Sequence, residues 1–132
     1  MIERKLVHVE RIPIRWGDMD AMGHVNNTVY FRYMEQARIS WFDALVPEEA
    51  AWKDTGIVIA NASCNFKLPL NYPGTVEVQL RVDPPGGSSV GTFYELRMND
   101  ALCADGAATV VFIDMRRQKP VRIPDGIRKR LT

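Results

Sequence analysis

The chain has little cysteine, little net charge and no long apolar run, and each shortage excludes a class of protein. Its two cysteines, Cys64 and Cys103, lie far apart and outside any CxxC pair, which is typical of a cytoplasmic chain with reduced thiols. With 17 basic and 16 acidic residues, the net charge of +1 provides no overall basic field for nucleic acid. No apolar run is long enough to cross a bilayer, and the N-terminus lacks the apolar core of a signal peptide. We therefore expect a cytoplasmic protein that binds neither nucleic acid nor membrane.

Several common functional motifs are also missing. The sequence contains no phosphate-binding GxxxxGK[ST] loop and no GxGxxG, so a nucleotide held in either mode is not indicated. It has no GxSxG turn for a nucleophilic serine. The length of 132 residues, with 46% hydrophobic and 25% charged residues, predicts one domain spanning residues 1–132.

One long helix is predicted between Asn27 and Leu45. Asn26 or Asn27 is a suitable N-cap, and Pro47 lies just past the end, where helices commonly stop. Apolar positions recur at helical spacing and predict one buried face, formed by Tyr30, Met34, Ala37, Trp41, Ala44 and Leu45.

The rest of the chain is predicted to form strands. Residues 6–16 alternate, with Ile12, Ile14 and Trp16 on one face, and Pro13 favours an edge position. Four more strands follow the helix, and we expect them to form an antiparallel meander. The first of these is small and apolar throughout, which is typical of a strand covered on both faces. The four strands are 56–68, 75–82, 90–98 and 102–115; short helical turns are expected near 48–53 and 127–131. This order predicts an α+β domain, with one antiparallel sheet packed on one helix.

The residues 17–27, GDMDAMGHVNN, place acids, a histidine and an asparagine pair just before the helix. The first amides of a helix have no internal partner, and its dipole presents positive potential there. Asp20, with an ordinary pKa of about 3.9, is ionised at neutral pH and can act as a nucleophile or as a base for water. His24 can orient Asp20, share a proton with it, or order the loop, while Asp18 is expected to bond loop amides.

Residues 16–31 (WGDMDAMGHVNNTVYF), continuing into 34–38 (MEQAR), resemble the hotdog-fold acyl-CoA thioesterases of the 4-hydroxybenzoyl-CoA thioesterase-like family. The resemblance implies a curved antiparallel sheet wrapped around a single long helix, and hydrolysis of acyl-CoA esters. It makes Asp20 the catalytic carboxylate and points to backbone N–H groups near Asn27 and Thr28 for polarising the thioester carbonyl. Coenzyme A is then part of the substrate, and no separate cofactor and no metal are expected. The resemblance also implies a homodimer or a dimer of dimers (a homotetramer), with sites at the subunit interface.

Other residues keep two interpretations. Asn26, Tyr30 and Met34 are candidates for substrate binding, or form the helix cap and core. The basic residues at the end of the last strand are candidates for the phosphates of coenzyme A, or form a solvated strand end: Arg116, Arg117 and Lys119, with Lys67 as a further candidate. Glu35 and Arg38 are expected to form an ion pair on the helix surface. Ala21 and His24 depart from the aryl-CoA members and favour a fatty acyl substrate.

Two other functions remain open at this point. Asp20 and His24 could serve an acyl-CoA hydratase or dehydratase, in which an acid and a histidine act on the carbons next to the thioester. The chain could also be an acyl-CoA binding module without catalysis. Assaying thiol release and enoyl-CoA hydration side by side distinguishes these alternatives.

Overall fold

An antiparallel sheet of six strands wraps one long helix, as a computed structural model describes for residues 3–45 and 54–132. The path through the sheet is β1-β3-β4-β5-β2, and β6 pairs with the end of β5. The strands are β1 (Lys5–Pro13), β2 (Thr55–Phe66), β3 (Thr75–Val82), β4 (Ser89–Met98), β5 (Ala101–Asp114) and β6 (Lys119–Pro120). The predicted α+β class and hotdog architecture are confirmed.

Helix α1 (Asn27–Leu45) has the bounds that the sequence predicts. Its buried face packs on the inner face of the sheet, and each large side chain buried there stabilises the fold by roughly 1.5–3 kcal/mol. Ala44 is exposed, so its predicted place on this face is wrong, whereas Tyr33 and Phe42 belong to it. The buried residues of α1 are Tyr30, Tyr33, Met34, Ala37, Trp41, Phe42 and Leu45.

Strand β3 shows why the sheet has one apolar face. Val76, Val78, Leu80 and Val82 are buried, while the residues between them point to the outer face. There Glu77 pairs with Arg11 on β1, and Arg81 on β3 pairs with Glu95 on β4. The predicted period of two is confirmed, and it turns every second side chain toward α1.

The predicted meander of four strands is wrong in one respect. Strands β3, β4 and β5 follow one another in the sheet, but β2 pairs with β5 from Thr55 opposite Asp114 to Phe66 opposite Ala104. The reason is that β1 already pairs with β3, which leaves β3 no free edge for β2. In the single chain β2 is therefore an edge strand and largely exposed, so the prediction that it is covered on both faces is also wrong.

The first strand is shorter than predicted. It ends at Pro13, and a 3₁₀ turn follows at Trp16–Asp18. The amide of Ile14 donates to the carbonyl of Gly74 and leads the chain off the sheet edge. Trp16 consequently lies 77% exposed, instead of on the buried face with Ile14. The edge position predicted for Pro13 is confirmed.

The C-terminal segment forms helix α2 (Asp125–Leu131), where a basic helical turn was predicted. Ile127 and Leu131 are buried against the core, and the side chain of Arg130 donates to the carbonyl of Leu45 at the end of α1. The helical turn predicted near 48–53 lies outside the described residues. Within the described ranges, no helix is long and apolar enough to span a membrane.

Gly106 offers a test of how closely α1 approaches the sheet. A Cβ at this position would lie 2.5 Å from the Sδ of Met34 and 2.9 Å from the carbonyl oxygen of Ser63. We expect Gly106→Ala to lower the free energy of unfolding by about 1–3 kcal/mol, because overpacking must shift the helix or the neighbouring strand. Urea unfolding followed by tryptophan fluorescence measures this. Gly87→Ala is the matched control, since a Cβ there meets nothing within 4 Å. Equal stability of the two variants would contradict the close packing.

Candidate active site

The carboxylate of Asp20 is held by its own loop. Its Oδ1 accepts a hydrogen bond from the amide of Met22 at 2.9 Å and a longer one from that of His24 at 3.5 Å. The amide of Asp20 donates to the carbonyl of His24 at 2.8 Å, and the amide of Gly23 donates to the carbonyl of Asp20 at 3.1 Å. Gly23 has a φ of 81°, a conformation that glycine adopts without strain. One carboxylate oxygen therefore fixes the loop.

The second oxygen of Asp20, Oδ2, has no hydrogen-bond partner in the described part of the chain. Asp20 lines a cleft of about 380 Å³ that we call the Asp20 cleft. Its lining consists of Asp20, His24, Val25, Asn27, Tyr30, Phe66, Lys67, Leu68 and Pro69. The exposed ring of His24 has no hydrogen-bond partner among the residues 3–45 and 54–132, so it is not engaged by Asp20 in this structure.

The entrance of α1 is capped by Asn26 rather than Asn27. The Oδ1 of Asn26 accepts from the amide of Thr28 at 2.9 Å and from its hydroxyl at 2.6 Å. The carbonyl of Asn26 accepts from the amide of Val29 at 2.9 Å. The amide of Asn27, at the start of this turn, has no acceptor among the described residues. Asn27 lines the Asp20 cleft, whereas Thr28 faces a different cleft and its amide is already bonded.

Asp18 fastens the loop to the helix. Its Oδ2 accepts from the hydroxyl of Tyr33 at 2.8 Å and from the amide of Arg15 at 3.0 Å, and its carbonyl accepts from the amide of Asn26 at 3.0 Å. Burial raises the pKa of Tyr33, and the hydrogen bond to Asp18 raises it further, so the phenol stays a proton donor. The loop role predicted for Asp18 is confirmed. The contribution of Tyr33 was missed, because only the fold brings it to Asp18.

Tyr30 forms one wall of the Asp20 cleft and is fixed at both ends. Its hydroxyl accepts from the amide of Leu70 at 3.1 Å, and its ring meets that of Phe66 edge to face, with centroids 5.0 Å apart. Burial raises the pKa of Tyr30. The side chain therefore has a structural role at the cleft, and its predicted contact with substrate stays a prediction.

A second cleft, of about 400 Å³, lies between helix α1 and strand β2, and we call it the α1–β2 cleft. The two clefts flank the first turn of α1, because Asn27 lines one and Thr28 lines the other. The predicted substrate residue Met34 lies here and not at Asp20. The lining consists of Thr28, Phe31, Arg32, Met34, Glu35, Arg38, Ile59, Ala62 and Ala108.

The basic residues predicted to meet the phosphates of coenzyme A lie far from Asp20 within one chain. Arg116 and Arg117 follow β5 in a turn where both amides donate to Asp114 Oδ1, which holds the pKa of Asp114 below its ordinary value. Lys119 begins β6. This turn lies beside the Thr55 end of β2, and the Asp20 cleft lies at the other end. The 12 residues of β2 separate the two by roughly 36 Å.

Two further expectations concern metal and charge. In the described ranges, no group of three or more His, Cys, Asp or Glu side chains is placed to hold a metal ion. The predicted ion pair between Glu35 and Arg38 is wrong, because the half-buried guanidinium of Arg38 turns toward the sheet and donates to the hydroxyl of Tyr94 at 3.0 Å. Lys67 lines the Asp20 cleft and pairs with Asp105 at 3.5 Å.

Comparison with known proteins places these features in a family. The family described as the thioesterase-like superfamily matches residues 14–131. The long-chain acyl-CoA thioesterase FadM of Escherichia coli is 24% identical over 126 residues, which is 92% of this chain and 94% of FadM. A curated relative from Aquifex aeolicus is 32% identical, but the match covers only 60% of its length and 57% of this chain.

Solved structures agree with this assignment. PA2801, a proposed thioesterase of Pseudomonas aeruginosa, has a TM-score of 0.89 at 33% identity, covering 97% of this chain and 100% of that chain. A thioesterase of Thermus thermophilus, complexed with coenzyme A and Zn, has a TM-score of 0.83 at 28% identity, covering 96% and 92%. This chain belongs to the thioesterase-like superfamily and is a thioester hydrolase with the hotdog fold.

Proposed function

We propose that the chain hydrolyses acyl-CoA thioesters to a free acid and coenzyme A in the Asp20 cleft. One observation carries this proposal. The unbonded carboxylate oxygen of Asp20 and the unbonded amide of Asn27 belong to residues that line the same cleft at the entrance of α1. A negatively charged oxygen and a positively polarised donor are the two groups that thioester cleavage requires.

The amide of Asn27 is the proposed donor to the thioester carbonyl. As the carbonyl carbon becomes tetrahedral, its oxygen gains negative charge, and the N-terminal dipole of α1 favours that charge. The capping by Asn26 engages the Thr28 amide and leaves the Asn27 amide available. A preorganised donor of this kind can lower the transition-state free energy by about 3 kcal/mol.

Asp20 supplies the attacking group by one of two routes. In the first, Oδ2 attacks the thioester carbon, the thiolate of coenzyme A leaves, and water then hydrolyses the mixed anhydride. In the second, Oδ2 takes a proton from a water molecule that attacks the same carbon, and the thiolate of coenzyme A leaves from the tetrahedral intermediate. The His24 ring lines the cleft and is proposed to orient Asp20 or exchange a proton during the reaction.

The proposed substrate class is a fatty acyl ester of coenzyme A. The similarity to FadM along almost the whole chain supports this class, and so does the structural similarity to a thioesterase complexed with coenzyme A. Ala21 and His24, which depart from the aryl-CoA members, support a fatty acyl group over an aryl group. Action on coenzyme A esters is also consistent with the predicted cytoplasmic location.

We propose that the working form is a homodimer joined at the free edges of β2. This strand is 12 residues long, carries no charged residue and exposes Val58, Ile59 and Phe66. A long uncharged edge invites another strand, which charged residues would otherwise discourage. The association of two such dimers into a homotetramer is a further expectation from the family.

This dimer would also complete the site. Antiparallel pairing of two β2 strands lays the Thr55 end of one beside the Phe66 end of the other. The partner subunit's Arg116 and the partner subunit's Arg117 would then approach the Asp20 cleft, which they cannot reach within one chain. Phosphates of coenzyme A are anions that arginine binds well.

Asp20→Asn tests the chemistry with little change to the loop. An amide oxygen can still accept the bonds from Met22 and His24 that Oδ1 accepts, but the charge is lost. We expect release of free thiol from fatty acyl-CoA esters to fall at least about 100-fold. Asp18→Asn is the matched control, because its carboxylate serves the loop and Tyr33. That variant should keep turnover within a few-fold.

The outcomes separate the alternatives. Full turnover by Asp20→Asn would refute the role of this carboxylate. Enoyl-CoA hydration by the wild-type protein without thiol release would favour a hydratase. Tight acyl-CoA binding without either reaction, unchanged in Asp20→Asn, would favour a binding module.

Val58→Lys tests the dimer. Val58 on β2 and Val9 on β1 are each 43% exposed on opposite edge strands, so Val9→Lys adds the same charge to a matched position on the other edge. We expect light scattering to give a multiple of the chain mass for the wild type and Val9→Lys. Val58→Lys should give monomers with reduced turnover, because the buried charge opposes strand pairing. A Val58→Lys variant that keeps the wild-type mass would exclude the β2 interface.

A further inference from the structure

Arg38 lies three turns into α1 and lines the α1–β2 cleft. It is half-buried, and its Nη1 donates to the hydroxyl of Tyr94 at 3.0 Å. Over residues 3–45 and 54–132, no carboxylate lies within ion-pair distance of its guanidinium. Glu35, one turn earlier in the same cleft, does not pair with it.

A buried chain of hydrogen bonds fixes the guanidinium in place. The hydroxyl of Thr92 donates its single proton to the carbonyl of Ala108 at 2.7 Å. The hydroxyl of Tyr94 lies 2.7 Å from the same Thr92 oxygen and must therefore be the donor in that pair. Tyr94 can then only accept from Arg38. Both hydroxyl protons in this series of hydrogen bonds are therefore donated, and Thr92 and Tyr94 are almost completely buried.

This arrangement orients a cation without neutralising it. Arginine has five N–H donors, and the bond to Tyr94 uses one of them. A half-buried charge without a counter-ion is unfavourable, and a carboxylate that meets it makes a strong, often bidentate, hydrogen bond. Much of the surrounding lining is apolar, from Met34, Ile59 and Ala62. Such surroundings suit an alkyl chain that ends in an anionic group.

The direction of the acyl chain follows from the proposed function, on which this step depends. If the thioester carbonyl meets Asn27 and the partner's basic turn lies near Phe66, coenzyme A occupies the Asp20 cleft. The acyl chain then extends past the other side of the first turn of α1, into the α1–β2 cleft. Arg38 is about 15 Å along the helix from Thr28, at roughly 1.5 Å per residue. The guanidinium thus lies where a medium-length chain would end.

We propose that Arg38 is a specificity-determining residue, which selects coenzyme A thioesters of dicarboxylic acids by binding the distal carboxylate. Tyr94 and Thr92 act as positioning residues that aim the guanidinium into the cleft. Arg32 and Glu35 also line the cleft, and with Arg38 they leave its lining net positive by one charge. The cleft is therefore suited to an anion near Arg38.

Paired substrates of equal length test this proposal. Hexanedioyl-, octanedioyl-, decanedioyl- and dodecanedioyl-CoA are each compared with the matching straight-chain ester that lacks the second carboxylate. We expect kcat/KM to favour the dicarboxylic ester by about tenfold to hundredfold at the best length, as a charged hydrogen bond would. The difference should lie mainly in KM.

Variants assign the preference to one side chain. Arg38→Met keeps the apolar stem and should bring the ratio of the two kcat/KM values close to one. Tyr94→Phe keeps the charge but loses its orientation, so the ratio should fall only in part. Arg122→Met is the matched control, because it removes the same charge from an exposed arginine that lines neither cleft, and it should keep the ratio. Thermal unfolding of each variant separates a loss of fold from a loss of preference.

Turnover of the straight-chain esters reports the proposed function separately. If the wild type hydrolyses them and shows no preference at any length, the Arg38 assignment is overturned while the function stands. Calorimetric binding of both esters to Asp20→Asn gives a readout that needs no turnover. Equal affinities there, or a preference that survives Arg38→Met, would also overturn the proposal.

Discussion

The hydrogen bond from the Thr28 amide to the Asn26 side chain decides what the entrance of α1 can do. A helix begins with amides that have no internal acceptor, and a cap satisfies one of them. Because Asn26 takes the amide of Thr28, the amide of Asn27 remains available beside Asp20. The amide of Asn26 also donates to the carbonyl of Asp18, so the loop and the helix are positioned together. A shift of the cap by one residue would move both.

The local parts of the fold follow from the sequence, and the non-local parts do not. The bounds of α1 were predictable because an N-cap and a 3.6-residue period of apolar positions depend only on residues close together in sequence. Strand β3 was predictable because alternation needs only a strand and one apolar face. The place of β2 depends on which edge is free after β1 has paired with β3, and no local pattern contains that information. The small and apolar residues of β2 are evident in the sequence, but in the single chain they form an exposed edge strand and not a strand covered on both faces.

The candidate site also has local parts, which the sequence predicts, and non-local parts, which only the fold brings together. Asp18, Asp20, Asn26 and Asn27 lie within ten residues of one another, and their types predict a loop that leads into a capped helix. Tyr33 bonds Asp18 from the second turn of α1, and Arg38 bonds Tyr94 across 56 positions of sequence. The spacing of Glu35 and Arg38 fits a surface ion pair equally well, so only the fold shows that Arg38 faces inward. The sequence does not show that Arg38 is half-buried, and that burial distinguishes the two interpretations.

The free edge of β2 and the separation of the Asp20 cleft from the basic turn have one physical origin. Strand β5 has two edges, and β2 pairs with one of them from Thr55 to Phe66. No strand among residues 3–45 and 54–132 pairs with the other edge of β2. That edge separates the Asp20 cleft from the basic turn by the length of the strand. A two-fold antiparallel pairing satisfies the free edge and brings opposite strand ends together in one step. The geometry that makes β2 an unfavourable edge in one chain would therefore supply, in two chains, the cations that a coenzyme A ester requires.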